Sequence, residues 1–390
     1  MSNFFSNFDA TTCSLCSSKK FRTLLHFSGK VLLTNNSIIF SELKKIECTK
    51  CGLVRDGLSR QMNNLKKHYQ ENYEDHFSVN ENSTFFTKDH SIDRSTYVAN
   101  WISNILDNNV KKIRSIIEVG CGTGSLLTQL SSKYPNKKIL GIETSPKAIE
   151  IGKKNDLDIR SMDTYSSNNK MDLVISYAVI EHTPNPSQFF KFLLSLINPD
   201  GYILLGQPHQ NKLNPDIFYQ DHLFHFSTTH IQEFARQNNL VQIKKSLGKG
   251  PLNNFSFHLF QKSKKNLQRK KIIFVKTQVK KSIQYYSHVF NNVNRLLSDL
   301  KPTSTLAIFG TSMFFHLFYT YTNLSKHKIH VAIDDFPSTK KFPFRIITSK
   351  ELDTENIDHI LLCLNPVYIK TVLRKLGQRK YDYLIPFDSM

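Results

Sequence analysis

Three groups of residues in this 390-residue chain have types and spacings that can do chemistry. Tyr219, Asp221, His222 and His225 set a phenol, a carboxylate and two imidazoles side by side just beyond an apolar strand, and His182 lies at the end of the strand before it. A neutral imidazole removes protons near neutral pH, and a neighbouring carboxylate or phenol fixes its tautomer. Asp221 is expected to orient His222, with Tyr219 or His182 stabilising a developing oxyanion. The plainer alternative is that these groups fasten a lid to the sheet. Gly120, Gly122 and Gly124 follow a second apolar strand and open a helix, so the turn can pass close to a ligand and offer free N–H groups to an anion. A dinucleotide loop needs G-x-G-x-x-G, and Ser125 occupies the place of its third glycine. Glu143 ends the next strand, where a carboxylate accepts both hydroxyls of a ribose; Asp163 follows the third, placed for an adenine amino group with Met162 against the ring. Cys13, Cys16, Cys48 and Cys51 form two C-x2-C pairs, a pattern that brings four thiolates around one Zn²⁺. Cys121 and Cys363 have apolar or glycine-rich neighbours and read as structural.

The elements that must position these groups divide the chain into several units, since its length exceeds what one hydrophobic core supports. Residues 1–60 form the cysteine module, with Val31–Leu33 and Ser37–Phe40 as strand-like segments between the pairs. Residues 61–112 read as a mainly helical cap ending in the amphipathic run Tyr97–Leu106. Residues 113–262 alternate strands at 115–119, 138–142, 171–176 and 201–206 with helices at 125–133, 146–153 and 187–196, the rhythm of a doubly wound α/β sheet. Phe255–Gln261 supplies a closing edge strand, with Val241–Lys245 as its partner. A basic helical linker over 263–300 leads to a smaller α/β domain over 301–390.

The net charge of +20 is large enough to attract polyanions, and lysines cluster at Lys264–Lys265, Arg269–Lys271 and Lys280–Lys281. No recognition motif accompanies the charge, so a solvated face explains it better than nucleic-acid binding. No run of about 18 apolar residues and no signal-peptide pattern occurs, and the expectation is a soluble cytoplasmic protein, monomeric or weakly dimeric. That compartment keeps thiols reduced and favours zinc over disulfides.

Glu118-Val-Gly120-Cys-Gly122-Thr-Gly124 resembles motif I of class I S-adenosylmethionine (SAM)-dependent methyltransferases, and Glu181-His182-Thr-Pro184 is similar to the E-H-x-P turn after their fourth strand. Over nearly the whole chain the organisation resembles the sugar C-methyltransferase family, which joins a zinc module, a SAM domain and a C-terminal Rossmann-like domain. Tyr219, Asp221, His222, Phe226 and Ser227 match its Y-x-E-H-x-x-Y-F-S segment, and Asp335 with Phe342–Ile347 is similar to its D-x-x-P…G-x-x-I-P-I region. The resemblance implies cysteine metal ligands, SAM as cofactor, His222 as base and His182 as a second catalytic histidine. Asp221 stands for the family's glutamate, His225 for its second tyrosine, and Gly310-Thr-Ser-Met-Phe for its G-A-x-x-K-G loop. The expected activity is SAM-dependent C-methylation of a nucleotide-linked keto-deoxysugar through an enolate. The alternatives are O- or N-methylation of a sugar or small metabolite, and a non-enzymatic RNA- or protein-binding adaptor.

Overall fold

The structure, a computed structural model, describes residues 8–59, 84–86, 91–165, 170–265, 267, 272–336, 342–377 and 381–387. The first unit is an antiparallel sheet of β1 (Phe21–Leu32), β2 (Ile38–Cys48) and β3 (Val54–Asp56). Asn36, at a φ of 61°, makes the left-handed step of the β1–β2 turn, a conformation asparagine tolerates better than most residues. The cysteine pairs flank this sheet. Arg55, almost fully buried, donates to the Asp9 and Thr12 carbonyls and lies 4.4 Å from the Phe8 ring centre.

Where a mainly helical cap is expected, β4 (Thr84–Phe86) and β5 (Ser91–Asp93) pair antiparallel before helix α1 (Arg94–Leu106); residues 60–83 and 87–90 lie outside the described residues. Asp93 caps α1 by accepting from Thr96 N. The apolar face of α1, Val98, Ala99, Ile102, Ile105 and Leu106, packs with Leu204 and Phe257 of the central sheet, so this helix belongs to the central core and not to a separate cap.

The central unit comprises β6 (Ser115–Val119), α2 (Ser125–Lys133), β7 (Lys138–Glu143), α3 (Pro146–Lys154), β8 (Ile159–Ser161), β9 (Met171–Tyr177), α4 (Pro186–Leu196), β10 (Ile197–Pro208), β11 (Phe224–His225), α5 (Thr228–Gln237), β12 (Leu240–Leu247) and β13 (Phe255–Lys262). Its seven strands run β12-β13-β10-β9-β6-β7-β8. The five from β10 to β8 are parallel; β13 pairs antiparallel with β10, and β12 pairs antiparallel with β13 and so runs in the direction of the five. The order reverses between β6 and β9, which opens a crevice at the carboxyl ends of the strands. β11 leaves this unit and becomes the fourth strand of the first sheet, Phe224 opposite Arg55 and His225 opposite Val54.

The segment expected as a linker helix has no regular secondary structure over 272–277 and, among the described residues, is helical in α6 (Val279–Ser298). Val289, Phe290, Val293 and Leu297 of α6 pack into the C-terminal core, so α6 is part of that domain. Of the basic clusters, Arg269, Lys270 and Lys271 lie outside the described residues. The domain continues as β14 (Leu306–Phe309), α7 (Met313–Tyr321), β15 (Ile329–Ile333), β16 (Arg345–Ile347), β17 (His359–Leu362), α8 (Pro366–Leu376) and β18 (Asp382–Leu384), with a parallel sheet ordered β16-β15-β14-β17-β18. Among the described residues, no helix is long and apolar enough to cross a membrane.

Candidate active site

The glycine loop links β6 to α2. Gly120, Gly122 and Gly124 have φ of 73°, 58° and 93°. The left-handed φ favours glycine at each position, and at Gly120 a Cβ would also lie 2.6 Å from Val179 Cγ2. Gly120 N–H donates to the Ile142 carbonyl at 2.9 Å, tying the loop to β7. Glu143 completes the turn: Oε2 accepts from Gly122 N at 2.9 Å, and Oε1 accepts from Thr144 N and Ser145 N. Buried Met162 donates its N–H to the Glu143 carbonyl, and Asp163 next to it is exposed. Glu118, buried in β6, stands just before the loop. The adenosine-binding candidates therefore gather at one sheet edge. Their geometry fits a ribose-bearing cofactor, with three left-handed glycines in one turn and a buried carboxylate that accepts from the turn's backbone.

The second cluster follows β9 and β10 on the same edge. His182 ends the short turn Ile180–His182 after β9. Its Nδ1 lies 3.0 Å from the Asp221 carbonyl and 3.8 Å from the Asp221 carboxylate. The His182 and His222 rings meet edge to face, 4.8 Å apart, and the Tyr219 ring centre is 5.4 Å from His222. The proposed group thus comes together, with one correction. Asp221 does not orient His222: its carboxylate accepts from Thr34 N and Thr34 Oγ1 of the first unit. The orienting carboxylate is Asp216, whose Oδ2 lies 3.3 Å from Nδ1 of both His222 and His225. Backbone geometry explains the exchange. Asn214 caps the short helix Pro215–Phe218 and its side chain accepts from Asp216 N, which turns Asp216 inward beneath the histidines.

Electrostatics follow from that arrangement. Burial opposes charge on Asp216, yet His225 and His222 together hold its carboxyl well below the usual range. Burial also disfavours the His222 imidazolium, but the Asp216 bond and charge outweigh it and raise the pKa. His225 goes the other way: burial and the nearby Lys45 push it down to about 4, so it stays neutral. Burial, reinforced by Asp221, raises the Tyr219 phenol and keeps it a hydrogen-bond donor. A neutral His222 with Nδ1–H on Asp216 has Nε2 as its basic atom.

Sequence reasoning passed over Asp216, Lys45 and Thr34. Lys45 is fully buried; its ammonium donates to the carbonyls of Tyr219 at 3.0 Å and His222 at 2.7 Å. It shares a face of β2 with buried Leu43, and that position in the period of two was the available signal. Gln220 adds bonds from its side chain to Ser41 Oγ and the Glu42 carbonyl, and Tyr321 of α7 donates to the Phe218 carbonyl. Residues 214–227 are thereby held by all three units.

At the far end of the first unit the four thiols converge. Cys13 Sγ lies 3.6 Å from Cys51 Sγ and Cys16 Sγ 3.5 Å from Cys48 Sγ, with all four sulfurs within 4.8 Å of one another. Tetrahedral Zn–S bonds of about 2.3 Å set sulfurs about 3.8 Å apart, so the set fits the ion. The Cys51 contact pulls the Cys13 thiol down to about 5, whereas burial pushes Cys16 up to about 12.

Residues 90–245 match the methyltransferase domain family. The sheet order, with antiparallel β13 beside β10, is the fold of class I SAM-dependent methyltransferases. Similar curated proteins include malonyl-[acyl-carrier protein] O-methyltransferase 1 of Ilyobacter polytropus, 31% identical over 100 residues that make up 24% of this chain and 37% of that protein. Trans-aconitate 2-methyltransferase of Escherichia coli O139:H28 is 27% identical over 113 residues, 27% of this chain and 43% of its own length. The chain therefore spans less than half the length of these relatives. Solved structures with similarity include the plantazolicin methyltransferase BpumL, 13% identical with a TM-score of 0.40 over 51% of this chain and 94% of that one. Coclaurine N-methyltransferase is 13% identical with a TM-score of 0.39 over 48% and 80%.

Proposed function

We propose that the protein is a SAM-dependent methyltransferase acting on a small organic acceptor whose attacking atom must first lose a proton, with His222 as the base. The observation that carries this reading is the His222–Asp216 pair beside His182 and Tyr219, on the same sheet edge as the glycine loop. Bound SAM would supply a methyl group on a sulfonium. Glu118, Gly120, Gly122, Gly124, Glu143, Met162 and Asp163 would hold it, Glu143 sharing its carboxylate between the loop and the ribose. The acceptor's attacking atom would lose its proton to His222 Nε2 while Tyr219 and His182 hold the neighbouring polar atoms. Cys13, Cys16, Cys48 and Cys51 would hold a closed structural Zn²⁺ that keeps the first unit, and so Lys45 and Thr34, in place.

Oxygen is the leading acceptor atom, because a curated relative matching the central unit is named as an O-methyltransferase. A second reading, C-methylation of a nucleotide-linked keto-deoxysugar, is favoured by the joining of Tyr219, Asp221, His222 and His182 into one cluster backed by the cysteine unit. The test is a mass-spectrometric screen of hydroxy and keto acceptors with SAM for products heavier by one methylene. Methylated hydroxy compounds with no deuterium exchange beside any ketone support oxygen. Exchange and methylation at carbon support the second reading, and tight SAM binding with no product from either class contradicts both.

A further inference from the structure

The site holds two buried carboxyl groups in opposite surroundings. Asp216 Oδ1 accepts from Gln210 Nε2 at 2.7 Å and Oδ2 faces two imidazoles, so its neighbours favour the charge. Glu181, 2% exposed, sits in the turn after β9, and its Oε2 is buried without a hydrogen-bond partner among the described residues. A buried ionised oxygen left in that state is costly, whereas a protonated carboxyl is an O–H donor awaiting an acceptor. A Glu181 oxygen and ring nitrogens of His182 and His222 all lie within 4.8 Å of one another. His222 Nδ1 is committed to Asp216, so the basic Nε2 is the His222 atom that can meet an acceptor.

We propose that Glu181 is a catalytic hydrogen-bond donor, a neutral carboxylic acid that holds an oxygen of the acceptor beside the atom His222 deprotonates. The inference rests on the methyltransferase reading and adds a substrate class: the acceptor carries a carbonyl or hydroxyl oxygen next to its reacting atom. In a ketone, the proton on the neighbouring carbon goes to His222, the C–H electron pair becomes the C=C bond, and the carbonyl π pair moves onto the oxygen held by Glu181. In a diol, the reacting hydroxyl loses its proton to His222 and Glu181 holds the adjacent oxygen. Either way the new bond joins the acceptor to the methyl group, the methyl–sulfur bond breaks with its electrons going to sulfur, and the proton remains on His222.

Burial pushes the Glu181 carboxyl up to about 7 against the opposing charges of His222 and Arg94, with Asp216 reinforcing the rise. The groups facing it are His222 and Asp216 from the 214–227 loop, Arg94 from α1, Tyr177 from β9 and its neighbour His182. Two carboxyls pushed apart in one site is the pattern of divided acid and base roles. The donor is present below the raised pKa and lost as pH rises through it.

Infrared difference spectra of wild type against Glu181→Gln test the protonation without any acceptor. A carboxylic-acid band that fades as pH rises through about 7 is expected. With an acceptor from the screen, Glu181→Gln, which keeps an N–H donor, should hold kcat within about tenfold and lose the alkaline limb, while Glu181→Leu loses about 10²–10³-fold with S-adenosylhomocysteine affinity unchanged. Absence of the band alongside turnover, or a Gln variant as impaired as Leu, overturns the role of Glu181 alone. So does a metal ion beyond the one on the cysteines that disappears in Glu181→Leu. The band without methyl transfer to any acceptor overturns the methyltransferase reading, and the donor role with it.

Discussion

The two halves of the site are built differently. The cofactor half, Gly120 to Gly124 with Glu143 and Met162, comes from successive loops of one parallel sheet and is closed by backbone N–H groups around one carboxylate. The acceptor half sets His182, from the turn after β9, against Asp216, Tyr219, His222 and His225 on a loop with little regular structure, anchored by Lys45 and Thr34 from the cysteine unit and by Tyr321 from the C-terminal domain. A loop that long cannot hold its own geometry, so precision is supplied from outside. On the proposed reading, cofactor binding is a local property of the central sheet, and acceptor chemistry a property of the three-unit assembly.

That contrast predicts separable damage. Removing the proposed zinc with a chelator, or substituting Cys48→Ser, should abolish methyl transfer while S-adenosylhomocysteine still binds within a few-fold by calorimetry; equal loss of both would break the distinction. Asp216→Asn should lower kcat by roughly 10² or more, because the tautomer of His222 is no longer fixed. Asp216 raises the His222 pKa, so in this variant the acid limb of the rate profile should move to lower pH. Asp221→Asn, which keeps a partner for Thr34, should leave that limb nearly in place. Glu143→Ala should do the reverse of these, weakening S-adenosylhomocysteine about 10- to 100-fold, the worth of a charge-assisted hydrogen bond, with pH dependence unaltered. Lys45→Met is the mildest: leaving two buried carbonyls unpaired should destabilise the fold by about 1–3 kcal/mol in urea unfolding, and transfer should fall more than cofactor affinity.

The same contrast governs what could be read in the sequence. Strands β6, β7, β9, β10 and β13 and the helices between them carry strong apolar periodicity and glycine punctuation, and they stand within a few residues of the expected positions. The C-terminal alternation was equally plain. His222, His182 and Tyr219 were visible because their chemistry is crowded into short segments. Asp216 was not, since its role depends on the Asn214–Pro215 turn that swings it under His222, and Asp221 was nearer in sequence. Lys45 and Thr34 act across more than a hundred and seventy residues of chain, and no local pattern reports such a contact. The irregular 272–277 segment and the docking of α6 were hidden for a related reason: the lysines suggested a solvated linker, while the helix's other face carried the core.

The most direct test is single-turnover methyl transfer by His222→Ala with S-adenosylhomocysteine binding measured on the same sample. The account predicts a rate about 10²–10⁴-fold below wild type, unaltered cofactor affinity and full metal content. A variant that transfers methyl at the wild-type rate, or one that loses cofactor binding together with activity, would contradict it.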